Sequence, residues 1–196
     1  MIKLKRYISA IANDKHGGET MQIYLSTLTE VDYEESLNSI EENYDDQPET
    51  SWQEKALVKK LRKSDDYNYE LEVIAKNEQN KVIGHALLIE VSVTSEEKKY
   101  TALTIASLSV KKELRNQGLG RALMQAVEER AKSQDYTTIV VDREQDYFKK
   151  LGYQLASEFG LYSEYGDESQ PLLVKFLWDN LIDPPIGKVQ YPSIMR

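Results

Sequence analysis

The stretch Leu108 to Met124, LSVKKELRNQGLGRALM, constrains the fold more than any other part of the chain. It predicts a short strand over Leu108, Ser109 and Val110, a basic loop, and then Arg115-Asn116-Gln117-Gly118-Leu119-Gly120 leading into a helix. A strand that feeds a glycine loop and a helix N-terminus is a place to bind phosphate. The first amides of a helix have no intrahelical acceptor, and the helix dipole favours an anion there. Gly118 and Gly120 remove the side chains that would hold a phosphate away. Arg115 and Arg121 add charge and fork-shaped donors. The helix behind the loop is amphipathic. Leu119, Ala122, Leu123, Ala126, Val127 and the Arg130 stem share one face, and Glu128, Glu129 and Lys132 cover the other.

The chain has 196 residues, enough for one domain with a substantial core. It contains no cysteine, which excludes disulfides, thiolate metal sites and cysteine nucleophiles. A formal net charge of −8 argues against a general nucleic-acid binder. No apolar run reaches membrane-spanning length. The apolar part of the N-terminus is short and broken by Ser9 and Asn13, so no signal peptide is expected. These features together fit a cytoplasmic protein, and no metal site is expected.

Residues 1–20 read as an N-terminal appendage, flexible around Asp14 to Glu19, with the globular domain starting near Met21. Ile23-Tyr24-Leu25 predicts the first strand. Thr29 and Asp32 resemble an N-cap, followed by Tyr33, Leu37, Ile40 and Tyr44 at helical spacing. Asp45, Asp46 and Glu49 form an acidic link. Ser51 and Glu54 read as a capping box for a second helix over Leu57, Val58 and Leu61. Leu71 to Ala75 and Val82 to Val93 predict a hairpin, with Gly84 marking a close backbone approach. Tyr100 to Val110 is the next strand. Its apolar phase passes from Leu103 and Ile105 to Leu108 and Val110, which a one-residue bulge near Ala106-Ser107 would produce. Thr137 to Val141 reads as a buried strand parallel to the previous one. A short helix follows from about Gln145 to Leu151, stopped by Gly152. Tyr153, Phe159 and Leu161 are assigned to a strand, and Pro171 to Trp178 to the last clear one. From about Asp179 the tail carries Pro184, Pro185 and Pro192 and is expected to be extended. The fold class is mixed α/β.

The glycine spacing lacks the lysine of a Walker loop and the third glycine of a dinucleotide-binding fingerprint. By itself it leaves several nucleotide ligands open, as well as a plain helix start.

Arg115-Asn116-Gln117-Gly118-Leu119-Gly120 resembles the coenzyme A loop of the GNAT family of N-acetyltransferases, Q/R-x-x-G-x-G/A. Leu108-Ser109-Val110 occupies the place of that family's splayed strand. Phe148 to Tyr153 resembles its second motif, of the Y-x-x-L-G-F type. Asp146 to Leu161, with Gly187-Lys188-Val189-Gln190-Tyr191 near the end, is similar to predicted bacterial acetyltransferases of the YhbS type. The resemblance implies a GNAT fold: a twisted, mostly antiparallel sheet with one parallel, splayed strand pair and helices on both faces.

It also implies an enzyme that moves an acetyl group from acetyl-CoA to a primary amine by direct transfer. Cofactor contacts are then expected from Leu108, Ser109, Val110, Arg115, Asn116, Gln117, Gly118, Leu119, Gly120 and Arg121. Lys111 and Lys112 stand where the 3′-phosphate would lie. The chain departs from the family twice. Thr101 to Val110 carries no carboxylate for the usual base, which leaves Glu90 and Glu144 as candidates. Phe148 replaces the usual tyrosine acid, which leaves Tyr147. An acetyl-CoA sensor or partner module without efficient catalysis is the alternative. The acceptor is a small-molecule or peptide amine, and the acidic link favours a cationic one. Neither nucleic acid nor membrane is expected as a partner, and the chain is a monomer or a homodimer.

Overall fold

Glu72 and His85 meet in the middle of a sheet, and the polar side chains gathered around them show how the first part of the chain is built. The computed structural model describes residues 6–8, 21–44, 48–65, 67–165 and 171–195. The strands are β1 (Arg6–Ile8), β2 (Ile23–Thr27), β3 (Glu72–Lys76), β4 (Val82–Thr94), β5 (Lys99–Val110), β6 (Thr138–Val141), β7 (Gln154–Leu155), β8 (Leu161–Ser163), β9 (Leu173–Phe176) and β10 (Gly187–Gln190). The helices are α1 (Tyr33–Asn43), α2 (Pro48–Leu61), α3 (Leu119–Ser133) and α4 (Gln145–Lys150). The chain divides into two compact units, residues 1–87 with 106–129, and residues 88–105 with 130–196. Both long strands, β4 and β5, run from one unit into the other.

In the first unit β1, β2, β3 and β4 pair in sequence order, all antiparallel. Arg6–Ile8 thus adds an edge strand to β2. Most of the expected appendage over 1–20 lies outside the described residues, as do Asp45 and Asp46 of the acidic link. The second helix begins at Pro48, three residues before the expected capping box, because proline is pre-set for the first helical turn.

Adjacent residues of a strand face opposite sides of the sheet. Gly84 faces α3: a Cβ there would stand 2.9 Å from Leu123 Cδ1 and 3.3 Å from Ser109 O, so the close approach is real. His85 faces α1 and α2. Leu119, Leu123, Met124 and Val127 of α3 are all buried. Glu128 is buried with them, against expectation. It lies four residues after Met124, which brings it onto the same stripe.

Opposite, α1 buries Leu37 and Ile40 as expected, and with them Ser36, Ser39 and Asn43. These polar residues meet a polar sheet surface. Arg62 donates to Glu72 through Nε at 3.0 Å and Nη2 at 2.6 Å, and to Ser36 Oγ at 2.8 Å. His85 Nε2 lies 2.6 Å from Glu72 Oε1, and its Nδ1 lies 3.1 Å from Ser107 Oγ. The Tyr67 hydroxyl donates to Glu72 Oε2. Burial pushes the Glu72 carboxyl up, but His85 and Arg62 outweigh it and hold it down at about 2. Burial and the Glu72 charge raise the Tyr67 phenol.

In the second unit the order runs from β5 through β6 and β9 to β7. β5 and β6 are parallel, with Leu103 opposite Ile139 and Thr104 opposite Val140. β9 returns antiparallel to β6 and β7. β10 pairs antiparallel with β4 and parallel with β8, so the sheet has a second parallel pair that the sequence reading lacked. Val91, Val93, Ala102, Val140, Leu161, Val174 and Val189 build the core of this unit.

Local chemistry explains two further differences and one agreement. Phe159 lies in a 3-10 turn, Ala156–Phe159, not in a strand, and Gly160 closes that turn at φ +73°. Gly152, at φ +91°, ends α4 as expected. Its N–H donates to Lys149 O at 3.1 Å, and Tyr153 N–H donates to Phe148 O at 3.1 Å, the paired bonds of a Schellman stop. The tail is extended as expected where it forms β10, but it ends in a 3-10 turn, Ser193–Met195, tied by Met195 N–H to Pro192 O at 2.9 Å.

Candidate active site

β5 ends at Val110 and a 3-10 turn, Lys112–Leu114, carries the chain to the glycine loop. Leu114 is buried and anchors the turn. Two left-handed residues shape the loop, Asn116 at φ +62° and Gly118 at φ +90°. An L side chain is strained at the second of these, which is why glycine stands there. A Cβ on Gly118 would meet nothing within 4 Å, so the space over the loop is open. The helical ladder begins where Ala122 N–H donates to Gly118 O at 3.0 Å. The Leu119 and Gly120 amides come before that point and have no acceptor within the helix. An open cradle lined by such amides fits a phosphate group.

Ser107 and Ser109 are buried, whereas Leu108 and Val110 are half-exposed. Ser107 and Ser109 therefore turn to the side of the sheet where His85 and Asn43 meet them. The serines are satisfied by His85 and by Asn43, whose Nδ2 donates to Ser109 Oγ at 3.1 Å. Ser95 N–H donates to Lys98 O at 2.9 Å at one end of the β4–β5 pair and Lys111 N–H donates to Ile83 O at 2.9 Å at the other, so β5 runs one residue longer than β4 between these bonds, as the bulge expected near Ala106-Ser107 requires.

Lys111 N–H donates to Ile83 O on β4 at 2.9 Å. Backbone groups alternate between the two edges of a strand. Those of Leu108 and Val110 therefore point to the edge away from β4. Two side chains already reach that edge. The Tyr44 hydroxyl donates to Leu108 O at 2.9 Å, and Arg115 Nε donates to Val110 O at 3.2 Å. A second Arg115 nitrogen donates to Asn43 O. The arginine expected to face phosphate thus uses two donors to tie the loop to β5 and to the end of α1. Gln117 Nε2 donates to Glu113 O at 2.7 Å and braces the loop from within. Asn116 and Arg121 are exposed, as are Lys111 and Lys112.

All the expected cofactor-binding residues, from Leu108 to Arg121, therefore fall in the first unit together with Asn43 and Tyr44. Asn43 and Tyr44 belong to no motif that marks them as site residues. Asn43 closes the polar spacing Ser36, Ser39, Asn43, which follows the apolar stripe of α1 and marks a helix face laid on polar groups, and Tyr44 stands at the end of the apolar spacing itself.

The proton-transfer candidates lie in the second unit. Glu90 is exposed and accepts the Tyr136 hydroxyl. Glu144 is exposed at φ +47°, and its carbonyl accepts the Tyr147 N–H at 2.9 Å. Tyr147 is half-buried, with its phenolic oxygen shielded from solvent. Its ring packs edge-on to Phe148 at 5.1 Å. Phe148 is buried against Tyr153 as well, at 5.3 Å. Among the described residues, no three His, Asp or Glu side chains are grouped to hold a metal ion, and no helix is long and apolar enough to cross a membrane.

The sequence profile of the acetyltransferase (GNAT) family matches residues 37–153, from α1 through the loop to the end of the Schellman stop. The chain belongs to the GNAT acetyltransferase family. Membership makes it an acetyltransferase, and its fold is the GNAT fold. The structure of the GNAT family N-acetyltransferase YhbS from Escherichia coli, in complex with CoA, is similar over 91% of this chain and 94% of that one, with a TM-score of 0.77 and 20% identity. A GNAT acetyltransferase from Brucella melitensis, in complex with acetyl-CoA, is similar over 89% and 98%, at 0.68 and 15% identity. Arylalkylamine N-acetyltransferase 2 from Aedes aegypti covers 79% of this chain and 99% of its own, at 0.54 and 14% identity. No curated protein matches the chain.

Proposed function

We propose that this GNAT enzyme takes acetyl-CoA as donor and transfers the acetyl group directly to a primary amine. The observation that carries the reading is the open cradle over Gly118, set beside the half-exposed residues Leu108 and Val110. The amides of Leu119 and Gly120 would hold the pyrophosphate, with the exposed Asn116, Gln117 and Arg121 around it. The edge of β5 at Leu108 and Val110 would pair with the amide-bearing arm as a strand pairs with a strand. CoA and acetyl-CoA in the structures of the Escherichia coli and Brucella relatives support the choice of donor. Nearly full coverage of the YhbS chain supports treating residues 21–196 as one functional domain.

In the reaction the amine nitrogen attacks the thioester carbonyl carbon. A backbone N–H stabilises the oxyanion that forms. Collapse breaks the carbon–sulfur bond, the thiolate takes a proton, and the amine gives one up. Glu90 and Glu144 are our candidates for the base, directly or through water, and Tyr147 for the acid. If Tyr147 is that acid, Tyr147→Phe lowers kcat at least tenfold and leaves the CoA dissociation constant unchanged; an unchanged kcat removes it from the mechanism. The acidic stretch and net charge favour a cationic acceptor, a small molecule or a peptide. The reading places the enzyme in a bacterial cytoplasm, as a monomer or a homodimer.

The test is release of free thiol from acetyl-CoA with a panel of polyamines, amino acids, aminoglycosides and lysine or N-terminal peptides. Turnover with any of them is the expected result. The second reading is an acetyl-CoA sensor. It is favoured by Phe148, which is buried and has no proton to give, and by the lack of a carboxylate from Thr101 to Val110. Binding of acetyl-CoA without thiol release from any amine would select it.

A further inference from the structure

The edge of β5 that would receive the donor's arm is already occupied by the protein's own side chains. The Tyr44 hydroxyl sits 2.9 Å from Leu108 O, and Arg115 Nε 3.2 Å from Val110 O. Between them Ser109 is held by Asn43 at 3.1 Å. Three consecutive strand residues are thus fastened to the C-terminal end of α1 or to the glycine loop. Tyr44 is the residue at which α1 stops: its φ and ψ of −108° and 21° are no longer helical, and its N–H reaches back to Glu41 O and Glu42 O. The side chain leaves the helix end and reaches across to the strand.

We propose that Tyr44 is a gating residue of the donor site, whose hydroxyl holds the Leu108 carbonyl in the free enzyme and gives it up to an amide N–H of the incoming thioester arm. The inference rests on the reading of this site as a CoA site. An arm that pairs with β5 must donate to the carbonyls of its open edge. At Leu108 it meets a phenol that has the same bond already. One hydrogen bond is exchanged for another, so part of the arm's binding free energy is spent on displacing Tyr44. Arg115 differs in kind, because its bond to Asn43 O anchors the loop whether or not Val110 O is shared.

The cost is specific to the arm. A ligand with the nucleotide phosphates but no arm touches the glycine loop and leaves Leu108 alone. Binding of CoA and of adenosine 3′,5′-bisphosphate by calorimetry, to the wild-type enzyme and to Tyr44→Phe, separates the two. The variant keeps the ring and its packing and loses only the hydroxyl. A neutral hydrogen bond of ordinary strength predicts CoA affinity raised about threefold to tenfold in Tyr44→Phe. Affinity for the bisphosphate should stay unchanged. Unchanged or weaker CoA binding in the variant overturns the gate. An equal gain for both ligands overturns it too, since that would place the effect at the loop. If the wild-type enzyme binds no CoA at all, the reading of the site falls and the gate with it.

Discussion

Gly118 carries two demands at once. Its φ of +90° suits glycine, and the space where a side chain would begin is open. A substituent there would therefore meet no protein atom, and its cost to folding is the backbone strain alone, about 1–2 kcal/mol. On the proposed reading its cost to binding is larger, because a carboxylate would stand where that reading places the pyrophosphate. Gly118→Asp should abolish CoA binding in calorimetry while the circular dichroism spectrum stays native; unchanged affinity would show that the loop does not hold the phosphates. Arg115 shows the opposite economy. A residue chosen for its charge serves as a backbone clamp on Val110 and Asn43. That use was invisible in the motif, because both carbonyls lie outside it.

Strand β10 shows how one short element depends on its neighbour. Gly187 has φ +119°, and a Cβ on it would stand 2.3 Å from Thr94 O. The chain passes so close to β4 that no side chain fits. β10 is nevertheless held firmly. Val189 is fully buried, Glu164 N–H donates to Val189 O at 3.0 Å, and Tyr191 N–H donates to Glu164 Oε1 at 2.9 Å. Gly187→Ala should therefore lower the unfolding free energy by about 3 kcal/mol, from left-handed strain and steric overlap together. A denaturant melt measures it, and a loss below about 0.5 kcal/mol would mean that β10 shifts away at little cost. The resemblance to YhbS-type proteins drew attention to Gly187 and Tyr191. Nothing in the residue pattern said that the tail returns to pair with β4 at Ser92 to Thr94 and with β8. Short elements of alternating character have many partners of equal local merit, and only the assembled sheet chooses.

For the molecule as a whole, the Glu72 network links stability to pH. Glu72 titrates at about 2 in the folded chain, below its ordinary value of 4.5. A lowered carboxylate contributes stability above its unfolded pKa and loses it as pH falls through the folded one. Stability should therefore decline between about pH 4.5 and pH 2, by a few kcal/mol from this group. Glu72→Gln leaves Arg62 buried without its counter-charge, which costs about 3–5 kcal/mol at pH 7. The variant should also lose that part of the acid dependence. Urea melts of both proteins at pH 7 and pH 3 test this; equal acid slopes would mean that other carboxylates carry the effect.

The network also marks the boundary between what is local and what is not. The glycine loop, the helix behind it, the hairpin, the Gly152 stop and the family were legible in the sequence, because each depends on backbone preference, capping chemistry or periodicity within a few residues. The partners of His85, Glu72 and Arg62, the fastening of β5 by Asn43 and Tyr44, and the pairing of β10 were settled only by tertiary structure. The spacing of polar side chains can mark a face but not a partner, and a hydrogen bond between residues 66 or 96 positions apart, such as Asn43 to Ser109 or Thr94 to Gln190, exists only once the sheet and its helices have brought them together.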